Sequence, residues 1–505
     1  MAQIKALDLL TVEFSLCYPD PAFLAKIALA NNAIQDSDWL TQYGADRSLL
    51  AKANGTGPYM VTEGVPATGT EITLGRYDAY WGEKAIPAQV IVRWNADAAA
   101  RLLALSSARV DGIDNPGPNA FDTIAADSTL ALQPRESLST MYIGMSNVYA
   151  PFDSIRIRRA LAMGIDRQRI VDNVFPPGSL LAQYFTPCSI EFACSGQRWY
   201  PHDRASAKAL LADPGFSGPL TMHIYYRDEA GCGLPDPGLV ANELQTQLQD
   251  DLGIKADLRP QGSAAFLHDL SAGLLDGLYV LESCPATPDT GTFLGDPFSD
   301  AANPQFGTLD PSITDALTAG GRTTDPAARR LAYEKANNAI RDLVPMIPIA
   351  HGGSATAWKA DVAGAVSSPL GGERFAVMDP GGRTQLIWMQ SASPSSFDCT
   401  DETDGDSLGV CQNVFEGLYG FKSGTAEVTP SLAESCDANQ DLTVWTCHLR
   451  SGVTFHDGSQ LDANDVVVSF ARQWDAEGPL HVGRTGAFAA WAAEFGPFLH
   501  PPAAP

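Results

Sequence analysis

Apolar positions along this chain fall into short strand-like and helix-like patterns, with no long uninterrupted apolar run. Residues 7–16, LDLLTVEFSL, are apolar-rich with partial alternation, and Pro19, Asp20 and Pro21 separate them from the helical run FLAKIALA. That order predicts strand, turn, helix. Residues 89–112 repeat the logic: the strand pattern QVIVRW precedes an amphipathic helix pattern, ADAAARLLALSS, closed by Val110, Asp111 and Gly112. Helical patterns recur at 153–174, 204–212, 237–252 and 325–343, with short strands such as LTMHIYY between them, so the fold class is α/β. The longest polar, turn-rich stretch, 285–311, reads as a ligand-facing loop. At 378–383 the seam MDPGGR is followed by a fresh strand pattern, TQLIWMQ. The tail 500–505, HPPAAP, has too few buriable side chains to pack and reads as frayed.

Length changes the picture first. A chain of 505 residues exceeds what one hydrophobic core serves, so two or three lobes are expected. With 45% hydrophobic residues it has the apolar content to build them. Acidic residues outnumber basic ones by 59 to 33, and the net charge of −26 repels phosphate backbones and anionic headgroups, so nucleic acid is excluded as a partner. No stretch approaches the roughly 18 apolar residues of a membrane helix. The opening residues, MAQIKALDLLTVEF, do not combine a charged region, an unbroken apolar region and a small-residue cleavage site, so no export signal is read there.

Nine cysteines favour an oxidising compartment, because six of them sit close together in pairs on turn-rich segments: Cys188 with Cys194, Cys399 with Cys411, and Cys436 with Cys447. Cys17, Cys232 and Cys284 remain. No CxxC or HExxH spacing is present, so no metal site is expected. No Lys follows a Gly, which excludes a Walker A loop, and HGGSAT at 351–356 has no GxSxG elbow to accompany it. In FHDG, 455–458, His456 and Asp457 are sequence neighbours and point apart on a strand, so turn chemistry explains them better than an acid/base dyad. A carboxylate pair of the glycosidase kind is not excluded by sequence, which leaves a carbohydrate-active hydrolase as the alternative reading.

Several segments, taken together, resemble the family 5 extracellular solute-binding proteins, the peptide-type receptors of bacterial ABC importers. WTCHLRSGVTFHDGSQLDANDVVVSF at 445–470 is similar to the family signature in nearly every fixed position. GTGPY at 55–59, RYDAYWG at 76–82, PFDSIRIRRALAMGIDR at 151–167, VFEGLYGF at 414–421 and PSLAES at 430–435 resemble further family blocks. Their order departs from the family, whose EGL, LA and FHDG blocks come first; here that group follows Met378. The order reads as a circular permutation, or as a slice of a longer tandem product.

The resemblance implies a type II periplasmic-binding-protein-like fold, two lobes closing on a ligand plus an extra subdomain, circularly permuted. The expected bodies are an extra subdomain built from 1–51 and 431–505, a lobe from 52–134 and 345–430, and a second lobe from 135–344. It implies capture of a peptide or similar small solute, delivery to ABC permease subunits, no catalysis, no cofactor and a monomer in the periplasm or on the outer face of the membrane. In peptide-binding relatives a block of type Trp, x, x, Asp, Tyr supplies an Asp that pairs with the ligand ammonium. Here that block reads SCPAT, with Ser283 in place of Trp and Ala286 in place of Asp, which suits a bulkier, less cationic solute such as a modified peptide or an oligosaccharide. Asp289 and Glu416 are the candidate substitutes for the missing carboxylate. Cys284, either bridged to Cys232 or simply buried, and Tyr142 complete the candidate ligand-binding set.

Overall fold

The computed structural model describes residues 3–212, 220–229, 232–299 and 302–499; the tail 500–505 lies outside the described residues. The chain divides into two compact units, Met1–Arg135 with Ala355–Pro505, and Glu136–Ser354. The first unit takes in both the body expected from the two chain ends and most of the lobe expected from 52–134 and 345–430.

The first unit contains a seven-stranded sheet in the order Tyr59–Glu63, Glu71–Arg76, Gln89–Trp94, Gln385–Gln390, Gly112–Asp114, Gly353–Lys359, Leu130–Glu136. Its central strand is the pattern TQLIWMQ that restarts after the seam. Leu386, Trp388 and Gln390 alternate inward along it, and it runs parallel to both neighbours. The seam itself is a tight turn. Gly381 and Gly382 both take positive φ, 69° and 78°, a conformation that a side chain would disfavour, and Gly382 N donates to Asp379 Oδ1 at 2.9 Å.

Both ends of the chain meet in a separate antiparallel sheet in the same unit, ordered Ile4–Asp8, Thr11–Ser15, Val444–Leu449, Ala433–Ala438. The expected strand at 7–16 is in fact this hairpin, Ile4–Asp8 and Thr11–Ser15, with the short helix Phe23–Lys26 after it. Alternation explains the register: Val12 and Phe14 on one side meet Trp445, Cys447 and Leu449, and all five are buried. Phe23 stacks on Trp445 with ring centroids 5.0 Å apart, and Phe14 meets Phe470 edge-on at 5.2 Å. Phe470 comes from the helix Ala463–Trp474, whose N-terminus is closed by a reciprocal box between Asp462 and Asp465. Arg472 on the same helix is wholly buried. It makes a two-pronged pair with Asp398, Nη1 to Oδ1 at 2.7 Å and Nη2 to Oδ2 at 2.5 Å, and also donates to Gln35 and Thr400.

The second unit holds a six-stranded sheet in the order Lys255–Gln261, Thr221–Arg227, Leu278–Ser283, Thr140–Met145, Met346–His351, Leu180–Leu181. The first three strands are parallel, and Thr140–Met145 runs antiparallel to both of its neighbours. The helices Arg204–Leu211, Pro237–Leu252 and Pro326–Leu343 fall where the periodicity puts them, and 153–174 is two helices, Ile155–Gly164 and Arg167–Val174. The expected loop at 285–311 is corrected: it contains the helix Thr290–Phe298, which buries Phe293, Leu294 and Phe298 despite Pro297. The three local cysteine pairs are disulfides, a fourth joins Cys232 to Cys284, and Cys17 is free.

Candidate functional site

In open α/β sheets, ligands gather at the carboxyl ends of the parallel strands. In the second unit those ends carry Arg227, Gln261 and Ser283. Glu282 and Arg227 form an ion pair there, and one further atom of each, Glu282 Oε2 and Arg227 Nε, is buried without a hydrogen bond. Cys284 follows at once, and its bridge to Cys232 fastens the segment after Thr221–Arg227 to the segment after Leu278–Ser283. Ser283 and Cys284 are half-buried, and Ala286 is exposed. The residues singled out in SCPAT thus stand at the end of a parallel strand, on a backbone held by a covalent tie.

Asp289 and Tyr142 have protein partners in the same unit. Asp289 caps the helix Thr290–Phe298, its Oδ1 accepting from Gly291 N at 2.8 Å and Thr292 N at 3.2 Å. Its Oδ2 receives Arg329 Nη2 at 2.7 Å, and that nitrogen also donates to Tyr333 OH at 2.9 Å. Tyr142 is buried and donates to Gln305 Oε1 at 2.9 Å; burial pushes its hydroxyl well above the ordinary tyrosine range, so it remains a neutral donor.

In the first unit three of the family-like blocks converge on Glu416. Its Oε1 accepts from Tyr80 OH at 2.7 Å, and its Oε2 from Trp81 Nε1 at 2.8 Å and Thr56 Oγ1 at 3.0 Å. Burial raises its carboxyl above the ordinary range against these donors, which lower it. A fourth block docks nearby, since His456 Nδ1 accepts from Gly55 N at 3.2 Å and its Nε2 lies 3.0 Å from Gly57 O. Burial holds His456 at about 4, so it is neutral and serves as a backbone clamp.

A cavity of about 210 Å³ opens elsewhere in the first unit, lined by Asp114, Arg135, Glu373, Trp388, Gln390 and Asp406 among others. Local structure explains each position. Asp114 ends a strand, Arg135 and Trp388 lie within strands, and Asp406 sits in the first turn of the helix Gly405–Val414. Glu373 follows Gly371 and Gly372, both at positive φ; a Cβ on Gly372 would come within 2.4 Å of Gln412 Nε2. Asn413 fixes this turn by donating its Nδ2 to Glu373 O at 2.9 Å and accepting from Phe375 N at 3.1 Å.

Charge in the cavity is unbalanced. Arg135 pairs with Asp114 at 2.5 Å, and its Nη1 stands 3.5 Å from Glu373 Oε1 without a hydrogen bond. Glu373 is only 2% exposed, yet neither carboxylate oxygen has a hydrogen-bond partner. Burial pushes it up to about 7, with Arg135 opposing the rise. Asp406 accepts from Ser391 Oγ at 2.8 Å and Ala392 N at 3.1 Å, and burial raises it too. These charged groups are arranged around one space. Sequence reading missed them because a carboxylate in a glycine-rich turn looks like surface charge; GGER at 371–374 was the only signal. Among the described residues no group of His, Cys, Asp and Glu is arranged to hold a metal ion, and no helix is long and apolar enough to cross a membrane.

Residues 1–305 and 427–487 match the family described as bacterial extracellular solute-binding proteins, family 5 middle. The chain is 25% identical over 383 residues to the probable ABC transporter periplasmic-binding protein SapA of Escherichia coli K12, covering 74% of this chain and 69% of that one. It is 26% identical over 359 residues to di/tripeptide-binding protein 1 of Pseudomonas aeruginosa UCBPP-PA14, covering 70% and 66%. Among solved structures, HbpA2 of Haemophilus parasuis superposes with a TM-score of 0.70 at 24% identity, over 74% of this chain and 75% of that one. That likeness establishes the fold as the α/β fold of type II periplasmic binding proteins. These likenesses give the hydrolase reading no support. Matched over more than half of its length, the chain belongs to the bacterial extracellular solute-binding proteins, family 5.

Proposed function

We propose that this protein is an extracytoplasmic receptor that captures a peptide or similar small solute, leaves it chemically unchanged, and hands it to an ABC import permease. The observation that carries the reading is the family match in both parts of the chain, joined to the names of its relatives, an ABC transporter periplasmic-binding protein and a di/tripeptide-binding protein. The geometry agrees with capture. Each unit, taken by itself, offers polar groups: a cavity with a carboxylate that has no hydrogen bond in one, and a disulfide-tied strand end in the other. Of the residues picked out by sequence, Ser283, Cys284 and Ala286 are proposed to face the solute, with Asp289 and Tyr142 behind them in the same unit; Glu416 is proposed to hold together the blocks of the first unit.

The rotated block order is part of this proposal. The family match falls into two separate stretches, and the two chain ends share one sheet and one aromatic core. A rotation of the family order, with 1–51 and 431–505 as one body, 52–134 and 345–430 as a second and 135–344 as a third, accounts for both. Chain termini that lie close together make such a rotation tolerable. The expected location is the periplasm or the outer face of the membrane, with a monomer as the working form. Native mass spectrometry of the purified protein tests the function: a retained small molecule at one per chain supports it. A chain that retains nothing and, after stripping, takes up no member of a peptide library opposes it.

A further inference from the structure

The carboxylate of Glu373 is the one among the described residues with both oxygens buried and neither hydrogen-bonded. Leaving buried carboxylate oxygens without hydrogen bonds is costly, and native proteins rarely do so without a function or a missing partner. Arg135 partners it by charge alone, with no hydrogen bond. It is committed to Asp114 at 2.5 Å and reaches Glu373 only at 3.5 Å.

Three carboxylates, Asp114, Glu373 and Asp406, face the same cavity as that single guanidinium. Arg101 and Asp404 act on it at longer range, Arg101 through its attraction to Asp114 and Asp406, and Asp404 through its repulsion of Asp406. An anionic group entering here meets surplus negative charge. A cationic group meets a ready counter-ion, and the indole of Trp388 lines the wall beside it. The volume, about 210 Å³, corresponds to about seven waters at ~30 Å³ each, which suits one head group and falls short of the roughly 300–1,000 Å³ of a pocket for a whole small ligand.

We infer that this cavity is a subsite for one compact cationic group of the captured solute, a primary ammonium or a guanidinium, with Glu373 as its counter-ion. The inference rests on the solute-capture reading and narrows it. At Ala286, where the resemblance puts the carboxylate that meets a ligand ammonium, this chain offers no charge, whereas both oxygens of the Glu373 carboxylate lack a hydrogen bond. Burial, aided by the charge of Asp114 and opposed by Arg135, is also what raises Glu373 to about 7, and a cation at the carboxylate reverses that shift, so binding near pH 7 releases a proton.

The test uses butylguanidinium and its neutral isostere butylurea as probes, titrated calorimetrically into the full chain. Wild type is expected to bind butylguanidinium about tenfold or more tightly than butylurea. Glu373→Gln is expected to erase that preference while melting no earlier than wild type. A second readout needs no variant: titration of wild type at pH 7 in two buffers of different ionisation heat shows proton release. Equal binding of the two probes, a preference that survives Glu373→Gln, or binding without proton release overturns the inference. Native mass spectrometry keeps the two readings apart. A retained solute with no cation preference sinks the subsite alone, whereas a cation preference in a chain that captures no solute sinks the receptor reading alone.

Discussion

The buried pair of Arg472 and Asp398 makes the assembly of the chain ends measurable. Arg472 belongs to the last helices of the chain, Asp398 follows the seam at 378–383, and Gln35, which also accepts from Arg472, comes from the first fifty residues. Asp398→Ala leaves the guanidinium with neutral acceptors only: Thr400 Oγ1 at 2.7 Å, Gln35 Oε1 at 3.1 Å, and the carbonyls of Leu480 and Val482 at 3.1 and 2.5 Å. Side-chain exposure is 0% for Arg472 and 1% for Asp398, so water cannot replace the lost carboxylate. Breaking one side of such a pair costs about 3–5 kcal/mol, whereas replacing both partners by apolar groups of similar volume is close to neutral. Urea unfolding followed by tryptophan fluorescence reads this out selectively, since eight of the nine tryptophans lie in the first unit. A loss below about 1 kcal/mol in Asp398→Ala, or an Arg472→Met, Asp398→Leu double variant as unstable as the single one, refutes the reasoning.

Three further outcomes follow from the same structure. Replacing Cys232 and Cys284 by Ser opens a loop of sequence separation 52 and is expected to lower stability by up to about 4 kcal/mol in denaturant unfolding, with weaker solute binding because the strand end loosens. Glu373 and Glu494 are both held at about 7 by burial instead of the ordinary 4.5, so each contributes stability at low pH that is lost as pH rises through about 7. Measured from pH 4.5 to 8, wild type should lose about 3 kcal/mol relative to each glutamine variant. Glu416→Ala strands three donors, one buried and two partly buried, and is expected to cost about 2–4 kcal/mol in unfolding while changing solute affinity little, as checked by calorimetry.

Sequence carried the architecture where pattern and local chemistry agreed. QLIWMQ reads as a strand because its alternation is strict, and it is the centre of a sheet; the three short-range cysteine pairs are close enough in sequence to be matched on sight. The helix Thr290–Phe298 was hidden because TGTFLGDPF carries two glycines and a proline, although Asp289 caps it and Phe293, Leu294 and Phe298 pack inward. For Cys232 and Cys284 sequence leaves a bridge and a buried thiol as alternatives; they follow two adjacent parallel strands, and the sheet decides for the bridge. Half of the candidate site was therefore legible. SCPAT directly follows an apolar strand, and the carboxyl end of a parallel strand is where ligands bind. Glu373, Arg135, Asp114 and Asp406 were not, since each looks like ordinary surface charge until 112–135 and 371–409 fold around one space.

Capture without conversion is the central claim, and equilibrium dialysis of the stripped protein against a mixture of di-, tri- and tetrapeptides, read by mass spectrometry on both sides of the membrane, tests it most directly. The account predicts that a subset of peptides, enriched in cationic members, concentrates on the protein side to saturation at one per chain and is recovered with unchanged masses. An even distribution of every peptide, or new masses arising from cleavage, contradicts it.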